Sequence, residues 1–116
     1  MNVEVRFRGL SRSGELRLYA LRRVEFHLGR FSRELLSVRV RIEDRNGPKG
    51  GIDKRCQFDL RGPRFGSAII EEQDSDAFAA VDIAADRAGR TVARLLGRVR
   101  AHLYVAPRIF LVAGKS

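Results

Sequence analysis

The chain has 116 residues, 44% of them hydrophobic, a length that suits one domain with its own core. It carries 23 Lys+Arg against 14 Asp+Glu, a formal net charge of +9, and 20 of the 23 basic residues are arginine. This balance predicts a polyanionic partner, and the single cysteine excludes an intramolecular disulfide. Because the sequence has neither an apolar signal region nor an apolar run of about 18 residues, we expect a cytoplasmic protein without membrane contact.

The first part of the chain predicts a strand followed by a helix. Val3, Val5 and Phe7 alternate with charged residues, which is typical of a half-buried strand, and the pattern ends at Gly9. A helix with Ser13 as its N-cap follows. Its core face, at a period of 3.6, consists of Leu16, Ala20, Val24, His27, Leu28 and Phe31. Its flank mixes aromatic and basic side chains, namely Tyr19, Arg22, Arg23, Phe26 and Arg30.

The middle of the chain predicts three more strands. Residues 38–42 and 56–60 alternate between apolar and polar, which indicates a hairpin with one solvated face. The glycines of loop 46–51 precede no strand-to-helix junction, so we interpret them as loop flexibility and not as a phosphate loop. A Gly62-Pro63 turn leads into a less regular strand from about Arg64 to Glu72.

A second helix, capped by Ser75 or Asp76, has an apolar face and a basic face. The apolar stripe contains Phe78, Val81, Ala85, Ala88, Val92, Leu95, Leu96, Val99 and Leu103, and we expect Val81, Val92 and Leu95 to be buried against the sheet. Opposite this stripe lie Arg87, Arg90, Arg94 and Arg98. Asp86 can pair with Arg90, but the four arginines share too few carboxylates to be neutralised. Such a row indicates a polyanion-binding face, with a merely solvated face as the alternative.

The predicted order, β-α-β-β-β-α, defines an α+β fold. A right-handed crossover would make the first two strands parallel in a four-stranded mixed sheet, with both helices on one face of that sheet. The arrangement is similar to a double-stranded-RNA-binding domain. We assign residues 1–103 to this domain and residues 104–116 to an apolar C-terminal tail. Three interpretations of the tail stay open. It is an added strand, a segment that binds a partner, or a segment that covers the domain's own core.

The sequence offers no catalytic or metal-binding motif. His27 and His102 are interpreted as structural histidines, and the two do not form a metal site with Cys56 at recognisable spacing. Cys56 faces inward on a strand, where cysteine behaves as a small hydrophobe. We therefore predict that the protein is not an enzyme and uses no cofactor, metal or small-molecule substrate.

Two segments carry a family resemblance that spans residues 3–102. The run Asp76-Ala77-Phe78-Ala79-Ala80-Val81-Asp82, with Asp86-Arg87, resembles Asp-Met-Tyr-Ala-Ala-Ile-Asp and a following Asp-Lys. The run Leu16-Arg17-Leu18-Tyr19, continued by Arg23-Val24 and Leu28, is similar to a first-helix pattern with Leu-Arg-x-Tyr and a later Lys-Leu pair. Both patterns belong to the ribosome hibernation factors, hibernation-promoting factor and ribosome-associated inhibitor A, long called sigma-54 modulation proteins. Ala77 departs from the family, which usually has Met there.

The resemblance implies a short-form factor that binds the small ribosomal subunit where messenger and transfer RNA would sit. Such a factor silences ribosomes in stationary or starved bacteria, and its two helices contact ribosomal RNA. Position by position, this nominates a basic two-helix surface made of Arg22, Arg23, Arg30, Arg87, Arg90, Arg94 and Arg98. The chain has no room for the dimerisation domain of long members, so we expect a monomer or weak homodimer. The alternative is a regulatory protein-interaction module that uses the sheet face and the apolar tail.

Overall fold

The computed structural model describes residues 1–9, 14–45 and 53–115, with side chains described as far as Ala101. The strands are β1 (Asn2–Arg8), β2 (Ser37–Asp44), β3 (Lys54–Gly62) and β4 (Gly66–Asp74). The helices are α1 (Gly14–Leu28) and α2 (Ala77–Lys115), and a 3-10 segment, Gly29–Glu34, follows α1. The predicted β-α-β-β-β-α order is confirmed. The predicted cap Ser13, the loop 46–51 and the side chain of His102 lie outside the described residues.

The four strands form one mixed sheet in the order β1-β2-β3-β4. β1 runs parallel to β2, and the other neighbours are antiparallel, as the sequence predicts. The register aligns Val5 with Val40, Val40 with Phe58, and Phe58 with Ile70. All four side chains are buried, so one apolar row crosses the whole sheet. This row forms the inner surface on which the helices pack.

The turn between β3 and β4 is longer than the predicted strand boundary implies. β4 begins at Gly66 and not near Arg64, and Gly62 pairs with Gly66 across a turn of three residues. Gly66 has φ +86°, a left-handed conformation that side chains with a Cβ rarely adopt. The glycine therefore sets where the chain reverses and where β4 can begin.

The buried face of α1 contains Leu16, Ala20, Val24 and Leu28. The structure differs from the prediction beyond this point, because α1 ends at Leu28 and the half-buried Phe31 lies in the 3-10 segment with φ −102° and ψ 16°. Because the backbone at Phe31 is not helical, the chain kinks there and Phe31 leaves the continuous helical face.

The buried stripe of α2 is rich in alanine and ends in Val92 and Leu96. Burial is confirmed for Val81 and Val92, but the prediction is wrong for Leu95, which is only half-buried, while Leu96 is 3% exposed. The reason is helical geometry. Leu96 follows Val92 by four residues along the ridge that faces the sheet, whereas Leu95 lies at the edge of the stripe. Phe78 is also at the edge, at 37% exposed.

The backbone of α2 continues without interruption to Lys115, a length of 39 residues or about 58 Å. The tail is therefore helical in this structure and forms no added strand. Its side chains lie outside the described residues, so the domain boundary at residue 103 and the tail's covering or partner-binding role stay predictions. Among the described residues, none of the helices combines the length and the apolar character needed to cross a membrane.

Candidate nucleic-acid interface

Helices α1 and α2 lie side by side and run in the same direction. The ring of Tyr19 meets the ring of Phe78 edge-on at 5.2 Å, and further along both helices His27 approaches Gly89. A Cβ atom built on Gly89 would lie 2.9 Å from the carbonyl oxygen of His27. Glycine at this position therefore allows the closest approach of the two helices and fixes how their outer side chains are spaced.

A row of polar side chains fills the outer part of this contact. We call it the interhelical seam, and it consists of Tyr19, Arg23, His27, Asp82 and Asp86. The Tyr19 hydroxyl donates to Asp82 Oδ1 at 2.6 Å, and this hydrogen bond raises the pKa of Tyr19. Arg23 Nε lies 2.9 Å from the same oxygen, within ion-pair distance but without the alignment of a hydrogen bond. Asp82 thus ties two positions of α1 to α2.

His27 continues the seam towards the C-terminal end of α1. Arg23 Nη2 donates to His27 Nε2 at 2.8 Å, so neutral His27 carries its proton on Nδ1. That nitrogen faces Asp86 Oδ1 at 4.0 Å. Burial, and then the neighbouring Arg23 charge, lower the pKa of His27, although Asp86 acts in the opposite direction. The seam is therefore built for a neutral histidine, which agrees with the structural role predicted from the sequence.

The four predicted arginines of α2 are all exposed, but their pairing differs. Arg87 contacts the Glu72 carboxylate and donates to the Glu71 carbonyl oxygen at 3.1 Å. Arg90 pairs with Asp86 at 2.8 Å, the i,i+4 pair expected from the sequence. Arg94 and Arg98 form no ion pair with any residue that the structure describes. A shallow groove of about 300 Å³ is lined by Arg87, Arg90, Thr91 and Arg94.

The three predicted arginines near α1 occupy different environments. Arg22 is exposed, Arg23 is half-buried within the interhelical seam, and Arg30 lies in the 3-10 segment with its guanidinium 4.5 Å from the centre of the Phe31 ring. Arg30 and Arg90 line one groove of about 310 Å³ between the helices. The structure thus brings Arg30 of the 3-10 segment next to Arg90 of α2. Their contact with RNA stays a prediction.

A second group of arginines lies on the open face of the sheet. Arg6, Arg39 and Arg41 border a groove of about 140 Å³ together with Glu4 and Val40. Glu4 contacts Arg6 and lies 3.9 Å from Arg39, while Arg55 on β3 pairs with Glu71. Carboxylates are therefore interspersed with cations on this face.

Asp82 and Gly89 organise the site, and the sequence analysis did not single out either for this role. The tie between Asp82 and Tyr19 joins residues 63 positions apart, which no local pattern can reveal. Gly89 could have been noticed in the sequence, because it lies within the buried stripe of a helix. Glycine there costs about 1 kcal/mol relative to alanine, so its presence indicates close packing. Both residues position the helices that carry the arginines, and neither adds positive charge.

Nothing in the described geometry points to nucleophilic chemistry at Cys56. Its side chain is fully buried, and burial raises the pKa of the thiol to about 12. A thiol with so high a pKa is not the thiolate that nucleophilic attack requires. Within the described ranges, no group of three or more His, Cys, Asp or Glu side chains is placed to hold a metal ion.

The fold, a mixed sheet with two helices that run in the same direction on one face, is shared with solved structures. The structure is similar to the Thermus thermophilus Protein Y N-terminal domain, with a TM-score of 0.66 and 27% identity over 81% of this chain and 98% of that one. It also shares its fold with a ribosomal subunit interface protein from Coxiella burnetii, with a TM-score of 0.71 and 11% identity over 84% of this chain and 99% of that one.

The sequence profile of the family described as Sigma 54 modulation protein / S30EA ribosomal protein matches residues 3–100. The chain therefore belongs to this family, and the resemblance found in the two helices is confirmed. Comparison with curated protein sequences gives no significant match.

Proposed function

We propose that the protein binds the small ribosomal subunit and silences translation, as a hibernation factor of stressed or stationary cells. The basic two-helix surface would occupy the region of messenger and transfer RNA. The observation that carries this proposal is the exposed arginine row of α2, in which Arg94 and Arg98 form no ion pair with any described residue. The family's description as a ribosomal protein supports it, and the likeness to ribosomal subunit interface proteins agrees with it.

The arginines divide into contact residues and positioning residues. Arg22, Arg30, Arg90, Arg94 and Arg98 are exposed. Arg90 pairs with Asp86 through Nη2, but its remaining N–H groups can face phosphates as those of the other four arginines can. Arg23 is held between Asp82 and His27, so its contribution is to position the helices. Arg87 is shared with Glu72 and the Glu71 carbonyl, which weakens its attraction for a phosphate. We therefore assign the phosphate contacts first to Arg22, Arg30, Arg90, Arg94 and Arg98.

The proposal includes the cellular setting. A ribosomal partner implies a cytoplasmic protein that acts by occupying a binding region, with no reaction catalysed. We propose a monomer or weak homodimer.

The test is co-sedimentation with small ribosomal subunits at several salt concentrations. Four to six phosphate contacts predict a slope of log affinity against log salt of about −3 to −5, because each contact releases roughly 0.7 to 0.9 counterions. Replacing Arg90, Arg94 and Arg98 together by glutamine should flatten that slope by about two to three units and relieve inhibition of translation in vitro. The fold should be retained, since all three side chains are exposed.

The matched control is glutamine at Arg6, Arg39 and Arg41, which removes the same charge from the open face of the sheet. This control variant should keep most of the parent's affinity for small ribosomal subunits and most of its dependence of affinity on salt. If the helix variant stays folded and binds as the parent does while the sheet variant loses binding, the basic two-helix surface is the wrong face.

The alternative function is a regulatory protein-interaction module. One observation favours it, namely Ile69, which lies on the open sheet face and is 64% exposed. An apolar contact of this kind would respond little to salt, whereas phosphate contacts weaken steeply. A flat salt dependence, together with loss of partner binding in Ile69→Lys, would favour this alternative.

A further inference from the structure

The ring of Phe26 is held in place yet largely exposed. Phe26 lies on α1 and is 72% exposed, the highest value among the large hydrophobic residues in the described part of the chain. The Arg23 guanidinium lies 5.0 Å from the ring centre, and the His27 ring meets it edge-on at 4.9 Å. Because Arg23 and His27 are themselves fixed in the interhelical seam, the ring has a defined orientation and still offers apolar surface to a ligand.

A groove opens directly beside this ring. We call it the base groove, and it is lined by Phe26, His27, Arg30, Asp86, Gly89 and Arg90. Its volume of about 310 Å³ lies at the lower end of the range of roughly 300–1,000 Å³ for small-ligand sites. It therefore suits a single flat ring system and not a nucleic-acid duplex or a folded protein domain.

Charged side chains of the groove can recognise the polar groups of a ligand. Asp86 Oδ2 is fixed by Arg90 at 2.8 Å, and the carboxylate is half exposed. An ionised carboxylate accepts several hydrogen bonds, so it retains acceptor capacity beyond Arg90. Arg30 and Arg90 also line the groove and add positive charge. An aromatic face, a carboxylate acceptor and two guanidinium groups together match an unstacked nucleotide of single-stranded RNA.

We propose that the base groove binds one unstacked base of the RNA, and that this base is guanine. The base would stack on Phe26, and its N1–H and N2 amino group would donate to the two oxygens of Asp86. Arg30 and Arg90 would contact the adjoining phosphates. The other bases lack a pair of neighbouring donors that matches a carboxylate. The inference rests on the proposed RNA-binding function, to which it adds a sequence preference that phosphate contacts cannot supply.

An RNA base fits the surroundings of Phe26 better than an apolar protein surface does. Three charged side chains line the groove. Asp86 and Arg90 pair with each other, but an apolar partner would offer no anion to Arg30 and would bury the whole group. Stacking on a base leaves Arg30 and Arg90 beside phosphates, where both charges are compensated.

The test uses a short fluorescent oligouridine that carries one central guanosine, compared with identical strands that carry inosine or adenosine. The parent protein should bind the guanosine strand most tightly, because inosine lacks the amino group and adenosine lacks both donors. Phe26→Ala should weaken binding of the guanosine strand about five- to one hundred and fifty-fold, the range attributed to stacking on an aromatic side chain. Asp86→Asn should remove the preference for guanosine, because an amide presents a single acceptor oxygen.

The control variant is Leu18→Ala, on the same helix, 48% exposed and outside the groove. It should bind all three strands as the parent does. Equal affinity of the parent for all three strands would overturn the assignment of guanine. A Phe26→Ala variant that binds every strand as tightly as Leu18→Ala does would overturn the stacking site. If that variant also lost ribosome binding, Phe26 would contact a ribosomal protein and not an RNA base.

The same variants separate this inference from the proposed function. Retained guanosine preference, in a protein that does not co-sediment with small subunits, would support the base groove and contradict the ribosomal function. The reverse result, salt-dependent co-sedimentation with no effect of Phe26→Ala on any strand, would support the function and overturn the groove.

Discussion

Gly89 controls the distance between the two helices, and replacing it by alanine tests that packing directly. An added Cβ would lie 2.9 Å from the His27 carbonyl oxygen and 3.2 Å from the His27 Cβ atom. The first of these neighbours is backbone, which cannot rotate away as the end of a long side chain can. Gly89→Ala must therefore shift α1 and α2 apart or distort one of them.

Two opposing effects set the magnitude. Alanine is more favourable than glycine within a helix by about 1 kcal/mol, while inserting a methyl group into a tight contact costs roughly 1–3 kcal/mol. Gly89→Ala should thus change the free energy of unfolding by between zero and about −2 kcal/mol. Gly97, on the same helix, is exposed, and a Cβ there would meet no atom within 4 Å. Gly97→Ala should stabilise the protein by about 1 kcal/mol, since it keeps only the favourable effect.

Thermal and urea unfolding followed by circular dichroism measure the difference between the two variants. We expect a separation of about 1–3 kcal/mol, or about 4 °C in Tm for each kcal/mol in a domain of this size. Because a wider helix contact also separates Arg30 from Arg90, Gly89→Ala should weaken ribosome binding more than Gly97→Ala does. Equal stabilisation by both substitutions would show that the two helices do not approach as closely as described.

Three further predictions concern the core and the interhelical seam. Leu96→Ala should lower the free energy of unfolding by about 2–5 kcal/mol, and Leu95→Ala by clearly less, since only Leu96 is fully buried; equal losses in urea unfolding would contradict this packing. Because the pKa of His27 is lowered in the folded state, neutral His27 stabilises the protein above pH about 6.5, and this stability is lost as the pH falls through the lowered pKa. His27→Gln should flatten that decline in pH-dependent unfolding, and an unchanged profile would exclude the role. The pKa of Cys56, raised to about 12 by burial, should restrict alkylation at pH 8 to unfolded molecules, so rapid labelling of the native protein would contradict its burial.

Local periodicity predicted the order of the strands and helices, but not the end of α1, the start of β4 or the extension of α2 through the tail. Alternation along residues 38–42 and 56–60 reflects a sheet with one buried face, and the apolar row through Val5, Val40, Phe58 and Ile70 agrees with it. The arginine row of α2 was equally visible, because side chains three or four residues apart must share a helix face. Family membership followed from two helix segments whose residues lie close together in the sequence.

The tertiary structure decided the properties that depend on residues far apart in the chain. The pairing of Arg87 with Glu72 requires α2 to lie beside β4, and the fixing of Arg23 requires Asp82 from the other helix. Burial of Leu96 in place of Leu95 depends on how α2 is rotated against the sheet. Periodicity describes one element at a time, whereas ion pairing, close approach at Gly89 and the base groove arise where two elements meet. The sequence by itself therefore determined which residues are basic and outward-facing, and only the packing of the helices decided which of them remain free to bind.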